Sequence, residues 1–410
     1  MSARDVIEIL ALVFAAGLVS ELVAGLLHIP RMVVLLAAGA VLGPDVADLL
    51  DLPLDSVAVQ ILLTLGVSMI LFYGGLSLSF HVLRPVVLGL GLLAIPGVLI
   101  TAFVTGAVAA AAFDVPFEAG LLIGAVLAPT DPAILIPLFE HLRIRPKVVQ
   151  TIIAESALND VTGAVLALAL ASFVIEGEGS LTAPFGDFLL DLGISTVLGA
   201  ALGVVLAVAI STRKLGIWRE SPIIAVLLVV VAGYFAIDYA GGSGYLGAFL
   251  AGLIVANMDQ LGLGMHSSRE LEMRLFTSAS ADIVVVFVFI TLGANLPFDT
   301  IADEALPALV TLAALIFLAR PLTVLACLLP DRLGRWRREE LVFLSWTRET
   351  GVVPAALVGI LVADGFEEGP ELATVVALAI VVTLLLQSTT KAWLARRLGL
   401  GEAEASYDQG

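Results

Sequence analysis

Three acidic residues stand inside apolar stretches of the sequence that are long enough to cross a membrane. Asp131 lies in AVLAPTDPAILIPLF at residues 125–139, and Glu155 and Asp160 lie in ESALNDVTG at residues 155–163. An ionisable side chain at membrane depth is costly unless it is paired or hydrated, and such residues mark ion or proton pathways. These positions therefore predict ion or proton chemistry within the bilayer.

Prolines interrupt the first of these stretches and predict a break in its helix. Pro129 and Pro132 lack the backbone N–H that a helix uses. They therefore leave the carbonyl groups of Ala125 and Ala128 without helical donors. Non-helical backbone at membrane depth is tolerated where it is buried in protein or lines a polar cavity, and transporters use broken helices to bind ions. We predict that residues 128–132 form an unwound elbow at a cation site.

The second stretch supplies oxygen atoms to the same site. Ser156 and Asp160 are four residues apart and share one face of a helix, and Asn159 lies in the adjoining row. Sodium-like ions prefer oxygen ligands, and none of the four histidines lies in the middle of a span. We therefore expect a monovalent cation and a proton to be bound by a set of oxygen-bearing residues: Asp131, Asp160, Asn159, Ser156 and the carbonyl group of Thr130.

A buried carboxylate at such a site exchanges one ligand for the other. Burial penalises the charged form, and a proton or a cation neutralises the same charge. We therefore expect the two ligands to compete for Asp160, so that binding of one releases the other. Asn159 does not titrate, and one proton per cation is the simpler expectation.

The composition predicts that these residues belong to a polytopic membrane protein. The 410 residues are 60% hydrophobic and 14% charged, with a mean hydropathy of +1.08. Soluble domains do not have this composition. At about 20 apolar residues per crossing, the chain has thirteen predicted spans, at roughly residues 6–27, 31–43, 57–76, 84–111, 118–139, 148–174, 188–210, 220–238, 243–257, 275–294, 305–329, 339–363 and 372–393.

The basic residues predict how these spans are oriented. Seventeen of the 20 Lys and Arg residues, Lys391 among them, fall in every second connection, and the intervening connections are acidic. The positive-inside rule predicts that the N-terminus lies outside and the C-terminus in the cytoplasm. We expect the membrane to be the plasma (inner) membrane. A net charge of −17 without a basic surface predicts no nucleic-acid partner.

The spans also predict an internal symmetry. Spans seven apart run in opposite directions, so spans 1–6 and 8–13 are expected to form an inverted repeat joined by span 7. Spans 5 and 12 are both interrupted, the second at SWTRETGVVP in residues 345–354. Paired interruptions in two halves indicate the binding site of a transporter. Arg320 and Arg348 lie within spans 11 and 12 and need acidic partners.

These motifs together resemble the monovalent cation/proton antiporter superfamily, and NhaP-type sodium/proton exchangers in particular. They are TDP in span 5, ESALND in span 6, FLARP in span 11 and the arginine of span 12. The resemblance implies a homodimer in which spans 5 and 12 are crossed discontinuous helices. It implies no cofactor. It further implies that, within residues 1–400, a core domain of spans 4–6 and 11–13 moves against a dimerisation domain of spans 1–3 and 7–10, with residues 401–410 as a cytoplasmic tail.

The resemblance also implies roles for single residues. Residues that match the predicted ligands hold the cation in such proteins, and the Asn159–Asp160 pair resembles the electroneutral branch. The residue matching Glu155 is paired with an arginine of the core domain. Arg348 is the favoured partner, and Arg320 is the second candidate.

Two departures and two rival functions remain beside this interpretation. Tyr73 in LFYGGL stands where sodium exchangers often have Glu, and span 12 reads TRET where many relatives have LRG. Both keep K⁺ as an alternative to Na⁺.

A gated channel would need a filter motif, which the sequence lacks. An intramembrane aspartyl protease would leave the arginines without a role, and we expect no enzymatic activity.

Overall fold

The computed structural model describes residues 3–83, 86–131, 144–176 and 183–400. Apart from short connections and turns, these ranges are helical, and they contain no strand. Short helices at Phe80–Leu83 and Met258–Leu261 lie in connections. The main helices are α1 Ala3–Leu27, α2 Arg31–Leu42, α3 Val57–Leu76, α4 Val87–Phe113, α5 Phe117–Val126, α6 Pro146–Glu176, α7 Ala183–Ile210, α8 Pro222–Tyr239, α9 Gly244–Ala256, α10 Ser267–Ala294, α11 Phe298–Leu328, α12a Arg338–Trp346, α12b Val352–Ala363 and α13 Gly369–Arg397.

Nine helices in the described ranges are long and apolar enough to cross a bilayer. Four shorter apolar helices, α2, α5, α9 and α12b, coincide with the predicted short spans 2 and 9 and with the predicted interrupted spans 5 and 12. The chain is therefore an all-helical, multi-pass integral membrane protein. The second half of predicted span 5 and the predicted tail, residues 401–410, lie outside the described residues.

Helix ends depart from the predicted spans where charged residues extend a helix beyond its apolar part. The α10 helix begins at Ser267, well before the predicted residue 275. In this extension Arg274 Nε donates to Glu270 Oε1 at 2.9 Å, four residues earlier. Such pairs stabilise helical turns that hydropathy does not mark.

Helices α4 and α11 share an irregularity. Each contains a π-helical turn, at Leu93–Gly97 and at Leu315–Ala319. The two helices also contact each other through the hydroxyl groups of Thr101 and Thr323 at 3.0 Å. They are seven apart in the predicted repeat, so corresponding spans carry the same distortion. The turn in α11 ends directly before Arg320, and π-turns in helices are frequent at functional sites.

Glycines bring the backbones of α4 and α5 into contact. A Cβ atom at Gly124 of α5 would lie 2.7 Å from the backbone nitrogen of Gly106 in α4 and would overlap the carbonyl group of Ala102. Small residues permit this close approach in membrane proteins. The contact fixes α5, whose C-terminal end leads into the region described next.

Candidate functional site

Two non-helical segments meet inside the bundle. Residues 127–131 follow the end of α5, and residues 347–351 separate α12a from α12b. The main-chain N–H of Asp131 donates to the carbonyl group of Glu349 at 3.0 Å. Non-helical backbone therefore occurs where the prolines predict it, as far as Asp131 in the first segment and over the whole of the second.

Two glycines allow other elements to approach the first segment. A Cβ atom at Gly163 of α6 would lie 2.6 Å from Cγ of Pro129, and one at Gly351 would overlap the side chain of Asp131. A larger residue at either position would displace Pro129 or Asp131.

The α6 helix holds Thr130 through two buried side chains. The main-chain N–H of Thr130 donates to Asn159 Oδ1 at 3.1 Å, and Asn159 Nδ2 donates to Thr130 Oγ1 at 2.9 Å. The Ser156 hydroxyl donates to the Thr130 carbonyl group. Both polar atoms of the Asn159 amide contact Thr130, so this side chain positions the non-helical segment. The predicted carbonyl ligand therefore has a defined place beside α6.

The two aspartates of the predicted site lie on either side of this contact. Asp131 follows Thr130 in the non-helical segment, and Asp160 follows Asn159 on α6. Asp160 lies within electrostatic range of Asp131 and of Arg348. Both aspartates are partly exposed, whereas Thr130 and Asn159 are buried. The two aspartates are therefore less enclosed than the residues that hold the break in the backbone.

Arg348 caps the C-terminal end of α5. Its guanidinium group donates to the carbonyl groups of three consecutive residues: Leu127, Ala128 at 3.1 Å and Pro129 at 3.4 Å. Carbonyl groups at a helix C-terminus lack helical donors, and a cation there also interacts favourably with the helix dipole. The position of Pro132 predicts that the Ala128 carbonyl group has no helical donor, and Arg348 supplies a donor to it.

Glu155 forms its ion pair with Arg320, so the favoured pairing with Arg348 is wrong. Arg320 Nη2 donates to Glu155 Oε2 at 3.0 Å, and Nη1 donates to Oε1. Arg320 Nε also donates to the Leu344 carbonyl group at 3.0 Å. The physical reason is that the carbonyl groups at the break in span 5 engage both terminal nitrogens of Arg348, whereas Arg320 faces Glu155 from a continuous helix.

Lys391 lies inside the bundle, which corrects its predicted place in a cytoplasmic connection. The α13 helix continues to Arg397, and Lys391 Nζ forms an ion pair with Glu349 Oε1. Their side chains are 0% and 1% exposed. A lysine near the end of an apolar run reads as a loop residue in the sequence, because its partner lies on another helix.

Lys391 belongs to a polar row on α13 that sequence reasoning missed. Thr383, Gln387 and Lys391 are four residues apart and share one face. The main-chain N–H of Thr350 donates to Thr383 Oγ1 at 3.0 Å, and that of Arg348 donates to Gln387 Oε1 at 2.8 Å. The spacing of these polar residues within an apolar helix was the available signal. The row holds the second non-helical segment, as α6 holds the first.

We call the ionisable residues around both segments the central charge cluster. It contains four carboxylates and three cationic side chains, which leaves a net charge of −1 when all are ionised. No histidine or cysteine takes part, and the described residues contain no group of side chains arranged as a metal site of the His, Cys, Asp and Glu type. The members of the cluster are Asp131, Glu155, Asp160, Glu349, Arg320, Arg348 and Lys391.

A polar cavity of about 360 Å³ lies further along α6, between α6, α7, α8 and α9. Its lining begins at Val165 and includes Ser172, Asp191 and Asp238. Val165 is five residues beyond Asp160, about 7.5 Å along a helix. The cavity therefore lies within two helical turns of the central charge cluster.

The Na_H_Exchanger family model, described as sodium/hydrogen exchanger, transmembrane, matches residues 9–397. The K(+)/H(+) antiporter NhaP2 of Shewanella sp. (strain MR-4) is 29% identical over 400 residues, which cover 94% of this chain and 66% of that protein. The probable Na(+)/H(+) antiporter 2 of Methanocaldococcus jannaschii is 26% identical over 364 residues, 87% of this chain and 84% of that protein. The present chain thus spans less than two thirds of the length of NhaP2.

A solved structure has the same fold. The sodium proton antiporter MjNhaP1 from Methanocaldococcus jannaschii, at pH 8, superposes with a TM-score of 0.79 and 24% identity, covering 97% of this chain and 99% of that chain. The family match covers nearly all of the sequence, from the first helix to the end of α13. The chain belongs to the sodium/hydrogen exchanger family.

Proposed function

We propose that this protein is a secondary antiporter that exchanges a monovalent cation for a proton by alternating access. The observation that carries the proposal is a pair of aspartates, Asp131 and Asp160, at a break in the backbone inside the helical bundle. A carboxylate that loses its hydration is neutralised by a proton or by a cation, and the two compete. The names of the relatives NhaP2 and MjNhaP1 support the same activity.

The cation is bound by oxygen atoms that the site already brings together. Asp131 and Asp160 supply carboxylates, Thr130 a carbonyl group and Ser156 a hydroxyl group. Hydroxyl and carbonyl oxygens suit a hard monovalent ion. Asn159 acts through its two hydrogen bonds to Thr130, which hold the carbonyl group at the site. Asp160 carries the proton in the other half of the cycle.

The charge of the central charge cluster supports one proton per cation. A single positive charge brings the cluster from −1 to neutrality, whether a proton or a cation supplies it. A second would leave a buried excess charge. Moving one net charge against a membrane potential costs about 2.3 kcal/mol per 100 mV, so an exchange that is neutral in both directions is independent of that potential.

Thirteen spans with two crossed discontinuous helices complete the proposal. Helices α4, α5 and α6 with α11, α12a, α12b and α13 form the moving core domain, and α1–α3 with α7–α10 form the dimerisation domain of a homodimer. The packing of α4 on α5 and α11, and of α10 on α2 and α3, supports this division. Native mass spectrometry tests the dimer, and a monomeric mass would contradict it.

Basic connections support an external N-terminus and a cytoplasmic C-terminus. Arg396 and Arg397 keep the last connection basic although Lys391 is buried. A cysteine introduced within residues 401–410 is then labelled by an impermeant maleimide only after the cytoplasmic face is opened. Labelling from outside would reverse the topology.

Na⁺ is the first candidate for the transported cation, and K⁺ is the second. The TDP and ESALND motifs favour Na⁺ through the resemblance they carry. Tyr73 in place of an acidic residue favours K⁺, as does the K(+)/H(+) name of NhaP2. Tyr73 is followed by Gly74, where a Cβ atom would lie 3.9 Å from Ala157 of α6, so α3 approaches the helix that bears Ser156.

Purified protein in liposomes tests the proposal. We expect an outward cation gradient to acidify, or an inward one to alkalinise, the lumen through countermovement of protons. Na⁺, K⁺ and Li⁺ are compared at several pH values, with choline as the cation that does not fit. Equal proton movement with choline, or none with any of the three ions, would refute antiport. Conductance far above carrier rates would indicate a channel instead.

A further inference from the structure

An apolar groove opens on the outer surface of α11, α12a and α13, where these helices face the membrane. Its volume is about 740 Å³, within the range of about 300–1,000 Å³ typical of ligand pockets. The groove is separate from the central charge cluster, whose members do not line it. Its apolar wall includes Phe317, Leu325, Leu329, Val342, Trp393 and Leu394.

One end of the groove is basic. Arg338, the first residue of α12a, lines this end and is exposed. It forms no ion pair with any residue of the described ranges. The acid two positions along, Glu340, is bound by Lys147 at 2.7 Å and by Arg145 at 3.4 Å. Glu339 is adjacent in sequence and therefore faces a different side of the helix.

A second guanidinium group lies beside Trp393, a residue of the groove wall. Arg397 is placed over the ring of Trp393, 5.5 Å from its centroid. Arg397 is exposed, and it too forms no ion pair with a described residue. The groove therefore combines a long apolar wall with one unpaired guanidinium group in its lining and a second over Trp393, a residue of the wall.

The indole of Trp346 has its polar atom turned into the protein. Its Nε1 donates to Thr390 Oγ1 at 2.9 Å, and its ring lies 6.1 Å from that of Phe317. The apolar surface of the indole is thereby left to the groove. Tryptophan is enriched where a membrane protein meets the headgroup region. Trp393, which lies beside Arg397 near the end of α13, therefore supports a headgroup-level position for the basic end of the groove.

We propose that this groove binds one anionic glycerophospholipid, with an acyl chain along the apolar wall and the phosphate group at Arg338 and Arg397. Guanidinium groups bind phosphate oxygens through paired, charge-assisted hydrogen bonds. Basic pockets between membrane helices bind anionic headgroups. A zwitterionic lipid presents a phosphate group as well, but it brings its own cation and adds no net negative charge to the two arginines. The proposal does not depend on the transport activity.

The test uses quenching of tryptophan fluorescence by lipids brominated on the acyl chain. The chain has four tryptophans, and a Trp218→Phe/Trp336→Phe background keeps the two that line the groove. This protein is reconstituted with brominated phosphatidylglycerol or brominated phosphatidylcholine at equal mole fraction. We expect stronger quenching by phosphatidylglycerol than by phosphatidylcholine. The affinity for phosphatidylglycerol relative to phosphatidylcholine is expected to fall about five-fold in Arg338→Gln and about five-fold in Arg397→Gln.

Control variants separate this site from general attraction to a basic surface. Arg219→Gln removes an exposed arginine that does not line the groove, and the preference for phosphatidylglycerol is expected to persist. Val342→Phe fills the wall without adding a tryptophan and is expected to lower quenching by both lipids. In the background that keeps both arginines, equal quenching by the two lipids would overturn the proposal. An unchanged preference for phosphatidylglycerol in Arg338→Gln/Arg397→Gln would also overturn it. So would displacement of the lipid by inorganic phosphate alone.

Discussion

The main-chain N–H of Asp131 donates to the main-chain carbonyl group of Glu349, while the side chain of Glu349 is paired with Lys391. Glu349 therefore joins the non-helical segment of span 5 to α13. Lys391 and the backbone of Asp131 therefore contact the same residue. The relationship connects two members of the central charge cluster, Asp131 and Lys391, through a third.

Asp160→Asn is expected to abolish cation-driven proton movement. The amide has nearly the shape of the carboxylate, so the fold is retained, but the side chain neither titrates nor supplies a negative charge. Proteoliposome assays with Na⁺ and K⁺ measure the loss, and gel filtration checks the fold. Asp282→Asn is the matched control, because Asp282 is an exposed aspartate within α10; it should retain exchange. Exchange by Asp160→Asn at the unaltered rate would exclude Asp160 from the mechanism.

Acidic pH is expected to raise the apparent KM for the cation. Protons then occupy the carboxylate of Asp160, and more cation is needed to displace them. If one proton competes with one cation, KM rises about ten-fold per pH unit on the acidic limb, with the maximal rate preserved where cation is saturating. Initial rates over a matrix of pH and cation concentrations measure this slope. A limiting slope of about a hundred-fold per unit would require two protons per cation.

Asn159→Ala is expected to weaken cation binding by loosening Thr130. The variant loses two hydrogen bonds of about 1 kcal/mol each, which corresponds to an apparent KM about thirty-fold higher if both serve to position the carbonyl group. Thr162→Val on the same helix is the control, because the Thr162 hydroxyl donates only to the Leu158 carbonyl group. An unchanged KM in Asn159→Ala would show that the amide is dispensable for positioning.

Lys391→Met is expected to destabilise the protein by about 3–5 kcal/mol, because it leaves Glu349 buried without its partner. The double variant Lys391→Met/Glu349→Gln removes both charges and restores the net charge of −1. We expect it to recover most of the stability and to remain insensitive to membrane potential. Thermal unfolding in detergent and exchange under an imposed potential measure these effects. Equal stability of the single variant and the parent would place Lys391 in contact with water or lipid.

Double-mutant cycles distinguish the two arginines. Glu155→Gln and Arg320→Gln are expected to be strongly coupled, by about 3 kcal/mol, because each single change leaves a buried charge without its partner. Glu155→Gln and Arg348→Gln should show less than half of that coupling, because the donors of Arg348 are bound to carbonyl groups at the end of α5. Urea-induced or thermal unfolding of the four-member sets gives both values, and the reverse order would contradict the observed pairing.

The sequence by itself determined the membrane class, nearly all of the helix positions and the places where the backbone is not helical. These properties are local: hydropathy reports the length of a span, and proline removes a donor from its own helix. The same applies to the row that Ser156 and Asp160 form on α6, since helical periodicity depends only on spacing along the chain. The grouping of Asp131 and Thr130 with that row was predicted from the same two motifs.

Tertiary structure alone decided which cation meets which acid. Arg320, rather than Arg348, pairs with Glu155, and Lys391 turns inward to Glu349. Spacing along the sequence does not rank these choices, because each pair joins helices that are remote in the chain. The outcome depends on how the helices pack and on which carbonyl groups the break in span 5 leaves without donors, and both are properties of the assembled bundle.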